Sequence, residues 1–161
     1  MRSLDDIPRG GDEQTQLNAW LDYYRATLVD KCADLTDEQL TGASCPPSPM
    51  SLIGLVRHLT EMEIGYAHRL TEPGKPLHYC DVDEDGDFED VAAGSVQADL
   101  LVYDAACAHS RDVMSGLSLE DTFGRSGYTL RWVYLYLIKE YARHLGHADL
   151  LRERIDGATG E

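Results

Sequence analysis

The chain has 161 residues, of which 43% are hydrophobic and 27% charged, values ordinary for a globular protein. Fourteen basic residues against 29 acidic ones give a formal charge of −15, and such a surface repels nucleic-acid phosphates and anionic membrane lipids. We therefore predict a single domain, residues 1–161, with no nucleic-acid partner and no membrane partner. The polar N-terminus has no signal-peptide core and the apolar run 132–138 is short, so a cytoplasmic location is expected.

The first half of the chain contains two helical patterns separated by breakers. The first helix is predicted to begin after Asp12, and the spacing of Thr36 and Gln39 is that of a capping box on a short helical turn. Prolines in segment 45–50 then interrupt the helical pattern. The second helix is predicted to run from near Ser51 to about residue 70.

The second half contains two further helical patterns after a long acidic loop, residues 71–94. Ser95 is the predicted cap of the third helix. The fourth is predicted to begin after Thr129, to reach about Ile155 and to stop before Gly157. No segment shows the alternation typical of a strand. The fold class predicted from these patterns is all-α, a four-helix bundle with a long acidic loop between helices two and three.

Polar residues occupy the core-facing stripe of the fourth helix. At about 100° per residue, Glu140, His144 and His147 fall on the same arc as the apolar residues Val133 and Leu151. An unpaired buried carboxylate costs several kcal/mol, so this group requires compensation. Either a purely structural hydrogen-bond network or a bound metal ion would compensate the cost of burying these side chains.

The second helix offers a further histidine, His58, at the border of its apolar face. Gly54 and Gly65 lie on the same side, where small residues would let another helix or a ligand approach closely. Alone, His58 would be interpreted as a core histidine. Together with Glu140 and His144, which are four residues apart on one helix face, it completes three N/O ligands of the kind that hold a catalytic metal.

Three segments resemble the DinB-like superfamily of four-helix metalloproteins, in particular the actinobacterial branch related to mycothiol-dependent enzymes. They are DEQTQLNAWLDYYRATLVDKCADLTDEQL (12–40), PSPMSLIGLVRHL (47–59) and LRWVYLYLIKEYARHLGHADLLRERIDG (130–157). The resemblance implies one histidine ligand on the second helix and a His-or-Glu-x-x-x-His pair on the last, which correspond to His58, Glu140 and His144. Where many relatives continue His-Arg-Gly-Gln, this chain has His144-Leu145-Gly146-His147, so His147 is an alternative or additional ligand.

The resemblance also implies an activity. We expect a divalent metal, zinc first and nickel second, and mycothiol or a similar low-molecular-weight thiol as co-substrate. The reaction expected is S-transfer or isomerisation of a small electrophilic substrate, with the metal acidifying the thiol so that the thiolate attacks. Two alternatives stay open: a non-catalytic, stress-related metal- or ligand-binding bundle, and a metal-dependent hydrolase.

The acidic segment DVDEDGDFED, residues 81–90, matches the first half of an EF-hand loop, D-x-D-x-D-G. The twelfth position should be a bidentate Glu and is Ala92. A solvated loop is therefore favoured over a calcium site, and such a loop could overhang the bundle mouth as a substrate lid.

The remaining polar and aromatic candidates have ordinary interpretations. Surface positions are expected for His68, His78 and His109, although the loop of His78 could fold over the metal. Core packing is expected for Tyr134 and Tyr141. The four scattered cysteines are expected to be free thiols. A second apolar face of the last helix suggests a homodimer; its residues are Trp132, Ile138, Leu145 and Leu150.

Overall fold

The computed structural model describes residues 4–80, 86–88, 91, 95–125 and 127–159. These residues form a short 3₁₀ turn, five α-helices and one two-stranded hairpin. In chain order the elements are the turn Leu4–Asp6, α1 Glu13–Cys32, α2 Asp37–Thr41, α3 Leu52–Thr71, α4 Val96–Ser115, β1 Thr122–Phe123, β2 Tyr128–Thr129 and α5 Leu130–Asp156. The prediction of an all-α bundle of four long helices, α1, α3, α4 and α5, is confirmed.

Most of the predicted helix ends are confirmed by local hydrogen bonds. The Asp12 carboxylate accepts from the backbone N–H of Thr15, and Thr36 and Gln39 form the predicted capping box. Ser51 caps α3 by accepting from the N–H of Gly54. Each of these bonds satisfies a backbone group that a helix end leaves without an intrahelical partner.

Two local expectations are wrong. Ser95 precedes α4 but makes no side-chain capping bond; its hydroxyl donates to Asp99 and accepts from Arg57 instead. The chain also contains a strand pair, in which Thr122 lies opposite Thr129. Strands of two residues are too short to show an alternating pattern in the sequence.

The four long helices surround a core in which α3 lies most deeply, packed against α4 and α5, while α1 packs against α5. Buried polar side chains from all four helices meet there. Arg25 of α1 donates two hydrogen bonds to Glu63 of α3, at 2.8 and 2.7 Å, and Tyr141 of α5 donates to the same carboxylate at 2.9 Å. The hydroxyl of Tyr103 on α4 lies 3.0 Å from that of Tyr141. A carboxylate at the centre of the bundle is thus fully paired.

The apolar residues proposed as a second face of α5 do not share one exposed surface. Leu145 is buried and Ile138 partly buried against the chain's own core. Trp132 and Leu150 are 44% and 60% exposed. The face on which the homodimer hypothesis was based is therefore divided, and the homodimer stays a prediction. Within the described residues, no helix has the length and apolar character needed to cross a membrane.

Candidate metal centre

The histidine and the acid–histidine pair predicted from the sequence lie together between α3 and α5. One ligand atom each from His58, Glu140 and His144 lies within 4.8 Å of the other two. His58 comes from the middle of α3, and the other two stand one turn apart on α5. The rings of His58 and His144 have centroids 4.5 Å apart. The inward direction expected for Glu140 and His144 is confirmed, because both side chains are buried.

The separation between the two ligand atoms on α5 suits a small cation. An ion bound at about 2.1 Å in tetrahedral geometry requires ligand atoms about 3.4 Å apart. The Nε2 atom of His144 and the Oε2 atom of Glu140 are 3.4 Å apart. Two imidazole nitrogens and a carboxylate oxygen form a donor set that zinc and neighbouring transition metals accept.

Electrostatics keep the two α5 residues in the forms that bind cations. Burial, together with the nearby His58, lowers the pKa of His144 to about 4, so His144 is neutral at pH 7. Burial would raise the pKa of Glu140, but hydrogen bonds from Lys139 and Tyr136 outweigh it and hold this pKa below its usual value. A neutral imidazole and an ionised carboxylate therefore face each other.

His147 lies outside this cluster. Its Nδ1 atom is 3.4 Å from the Nδ1 atom of His144, whereas the Nε2 atom of His144 is the one near Glu140. His147 therefore contacts the edge of the His144 ring that faces away from Glu140. The helical wheel places both histidines on one stripe, but one further turn carries His147 past the cluster.

Asp87 is a neighbour of the site that sequence reasoning did not single out. Its carboxylate Oδ2 lies 2.7 Å from Nδ1 of His58, and the residue is only 5% exposed. The ring of Phe88 stacks against that of His58 with centroids 5.6 Å apart. Asp87 is one of seven acidic residues in segment 81–90, and nothing in the local sequence distinguishes it from the other six.

The acidic loop, residues 71–94, supplies these contacts and is described at residues 71–80, 86–88 and 91. Asp81, Asp83, Asp85 and Ala92, on which the comparison with an EF-hand depends, lie outside the described residues. Asp87 and Phe88 of this loop cover His58. The loop, not another helix, also approaches the two glycines of α3: Phe88 lies against Gly54 and Leu77 against Gly65.

The other candidate side chains lie apart from the cluster. Tyr134 is fully buried and its hydroxyl donates to Asn18, while Tyr141 donates to Glu63, so both are core residues. The ring of His78 packs edge-on against Tyr79. All four cysteines are free thiols; they are Cys32, Cys45, Cys80 and Cys107.

The bundle of long helices is compatible with the DinB-like superfamily that the sequence resemblance predicted. A family model described as mycothiol-S-transferase matches residues 16–157, and the chain belongs to this family. The matched region contains His58, Glu140 and His144. No curated protein and no solved structure gave a significant match.

Proposed function

We propose that the protein is a metal-dependent S-transferase, or a related isomerase, in which His58, Glu140 and His144 hold a divalent ion. The convergence of their three ligand atoms within 4.8 Å is the observation that supports this proposal most directly. Three protein ligands leave coordination positions for a substrate, which is the arrangement of catalytic zinc sites. Zinc is the first expectation and nickel the second, because both accept imidazole and carboxylate ligands.

Mycothiol, or a similar low-molecular-weight thiol, is the proposed co-substrate. The support is membership of the mycothiol-S-transferase family. A divalent ion held at the site supplies Lewis acidity, which lowers the pKa of a coordinated thiol from about 8.5 and favours the nucleophilic thiolate. The thiol would release its proton to water, and its sulfur would form a bond to an electrophilic carbon of the second, small-molecule substrate. The electron pair of the bond broken at that carbon would depart with the displaced group or, in an addition, move to the other atom of the opened double bond and take up a proton from water.

The chain's own residues prepare the site for this chemistry. Lys139 and Tyr136 keep Glu140 ionised, and the buried surroundings keep His144 neutral, so neither ligand has to lose a proton when an ion binds near pH 7. Family membership favours this enzyme over the non-catalytic binding protein and over the hydrolase.

Elemental analysis tests the metal part of the proposal. The wild-type protein, purified without chelator and without a His-tag, is compared with His144→Ala, Glu140→Ala and His147→Ala. We expect near-stoichiometric zinc or nickel in the wild type and in His147→Ala, and loss of the ion from the other two variants. A wild type that stays metal-free after incubation with Zn²⁺ and Ni²⁺ would instead indicate a hydrogen-bond network.

Thiol-dependent turnover tests the activity. Mycothiol and a panel of small electrophiles are incubated with wild-type protein, and consumption of the thiol is followed with and without chelator. Turnover that needs both the thiol and the ion supports the transferase. Turnover of esters or amides without any thiol would favour the hydrolase, and metal binding without turnover the binding protein.

A homodimer and a cytoplasmic location belong to the same proposal. Sedimentation velocity at micromolar concentration shows directly whether the protein is a homodimer. A monomer there would remove the homodimer without affecting the metal site.

A further inference from the structure

We propose that Asp87 is a positioning residue of the candidate metal centre. It fixes the ring of His58 with Nε2 directed toward Glu140 and His144, and Phe88 secures Asp87 in place. The inference rests on the proposed function in one respect, that His58 is a metal ligand. Its consequence is that the placement of the acidic loop determines how tightly the ion binds.

One face of α3 contacts the acidic loop along several turns of the helix. Gly54, His58, Glu61 and Gly65 recur at intervals of three or four residues, so they lie on a single stripe of the helix. The buried Glu61 carboxylate accepts from the backbone N–H of His78 at 2.9 Å. It also accepts from the N–H of the following residue at 2.6 Å. The helix that carries the histidine ligand therefore also anchors the segment that leads to Asp87.

A second group of polar contacts anchors the loop beside this stripe. Arg57 donates to Asp99 at 2.9 Å and lies over the ring of Tyr79. The hydroxyl of Tyr79 donates to the other oxygen of Asp99, also at 2.9 Å. Tyr79 is thus held from both α3 and α4.

The contact between Asp87 and His58 has the geometry of a carboxylate–histidine pair that supports a metal. The Nδ1 atom of His58 and the Oδ2 atom of Asp87 are 2.7 Å apart, the length of a short, charge-assisted hydrogen bond. An ionised carboxylate can only accept, so the ring nitrogen is the donor in this proposal. A proton on Nδ1 leaves the lone pair of Nε2 for an ion and prevents the ring from turning over. Partners of this kind fix both the tautomer and the ring orientation of ligating histidines.

The shape of α3 at Gly54 explains why Phe88 can hold this position. A Cβ atom built on Gly54 would lie 2.8 Å from Cδ1 of Phe88 and 3.3 Å from Cε1. Such distances leave no space for a methyl group, so the close stacking of Phe88 on His58 depends on the glycine. At Gly65 the corresponding distance to Leu77 is 3.4 Å, an ordinary contact. The two glycines therefore provide a matched test.

Zinc affinity, measured by competition with a chromophoric chelator, tests the consequence. For Asp87→Ala we expect zinc affinity reduced about 10- to 100-fold, the usual effect of removing such a partner. Asp87→Asn keeps a hydrogen-bond acceptor, so its zinc affinity should fall less than that of Asp87→Ala. The control Asp112→Ala removes the same charge from an exposed position of α4 and should bind zinc as the wild type does. Wild-type affinity in Asp87→Ala would overturn the proposal.

Backbone substitution provides an independent variant. Gly54→Ala should weaken zinc binding by displacing Phe88, whereas Gly65→Ala should not. Alanine favours a helix more than glycine does, so neither change is expected to unfold α3, and circular dichroism checks this. Equal zinc affinity in the two variants would contradict the role of Phe88.

Nitrogen NMR of the metal-free protein separates this inference from the proposed function. In the wild type, His58 should carry its proton on Nδ1, and Asp87→Ala should show a mixture of tautomers. An Nε2 proton in the wild type would overturn the inference. A wild-type protein that binds no zinc would overturn the proposed function. The tautomer of His58 would then still show whether Asp87 orients the ring.

Discussion

Replacing Glu63 by Gln removes the charge at the centre of the bundle and leaves its partner in place. Arg25 and Glu63 are buried, at 2% and 0% exposure, and two hydrogen bonds of 2.7 and 2.8 Å join them. The amide can accept from Arg25 but cannot neutralise it. Breaking a buried pair on one side costs about 3–5 kcal/mol, a large part of the roughly 5–15 kcal/mol that stabilises a typical domain.

Urea denaturation followed by circular dichroism measures this cost. With a slope of about 2 kcal/mol per M, the midpoint for Glu63→Gln should fall by about 1.5–2.5 M. Glu153→Gln makes the same chemical change at an exposed position of α5 and should stay within about 0.5 kcal/mol of the wild type. In Glu63→Gln the buried Arg25 keeps Asp22 as an acidic partner, at 3.0 Å, but loses the one that accepts two hydrogen bonds. The double variant Arg25→Met, Glu63→Met should be less destabilised, because it removes both buried charges and Asp22 still pairs with Arg111. A loss below about 1 kcal/mol in Glu63→Gln would refute this reasoning.

Three further predictions concern pH, a helix end and the loop. The pKa of His144, lowered to about 4 by burial, lies below the value of about 6.5 in an unfolded chain, so the unfolded state binds more protons between these pH values. The free energy of unfolding of the metal-free protein should therefore fall as the pH drops from 7 to 5. Between pH 7 and 5 the free energy of unfolding of His144→Gln should fall by about 2 kcal/mol less than that of the wild type. If the two proteins lost stability equally over this range, the lowered pKa of His144 would be contradicted. Gly157 ends α5 with φ +81°, so Gly157→Ala should cost about 1 kcal/mol in thermal unfolding. Gly146→Ala, inside the helix, should instead raise the stability by about 1 kcal/mol. Equal effects of the two changes would exclude the left-handed φ angle of Gly157 as the cause. Glu61→Ala should speed limited proteolysis near residues 78–79, since their backbone N–H groups lose an acceptor; an unchanged cleavage rate would show that other contacts suffice.

The helices and the inward direction of the acid–histidine pair could be predicted from the sequence because their determinants are local. Asp12, Thr36 and Ser51 act on backbone groups within three residues, and Gly157 ends a helix through its own φ angle. A helical wheel places residues four apart on one face, so the inward direction of Glu140 and His144 follows from their spacing. His58 was predicted to join them from its place at the border of the apolar face of the second helix, and the resemblance implied the same residue.

The same local reasoning failed where another segment competes for a side chain. Ser95 stands at the start of a helix, but its hydroxyl is engaged by Arg57 and Asp99. Leu145 seemed available for a second face of α5, whereas it is buried against the core of its own chain.

The sequence by itself determined four long helices, most of their caps and an acid–histidine pair directed inward. Only the tertiary structure decided that His58 meets this pair, that Asp87 and Phe88 of the acidic loop support it, and that Glu63 pairs with Arg25. The physical reason is range: capping and helical periodicity operate over three or four residues. The contact between His58 and Asp87 joins positions 29 residues apart, and that between Arg25 and Glu63 joins positions 38 apart. Such pairs form only when the whole bundle has packed.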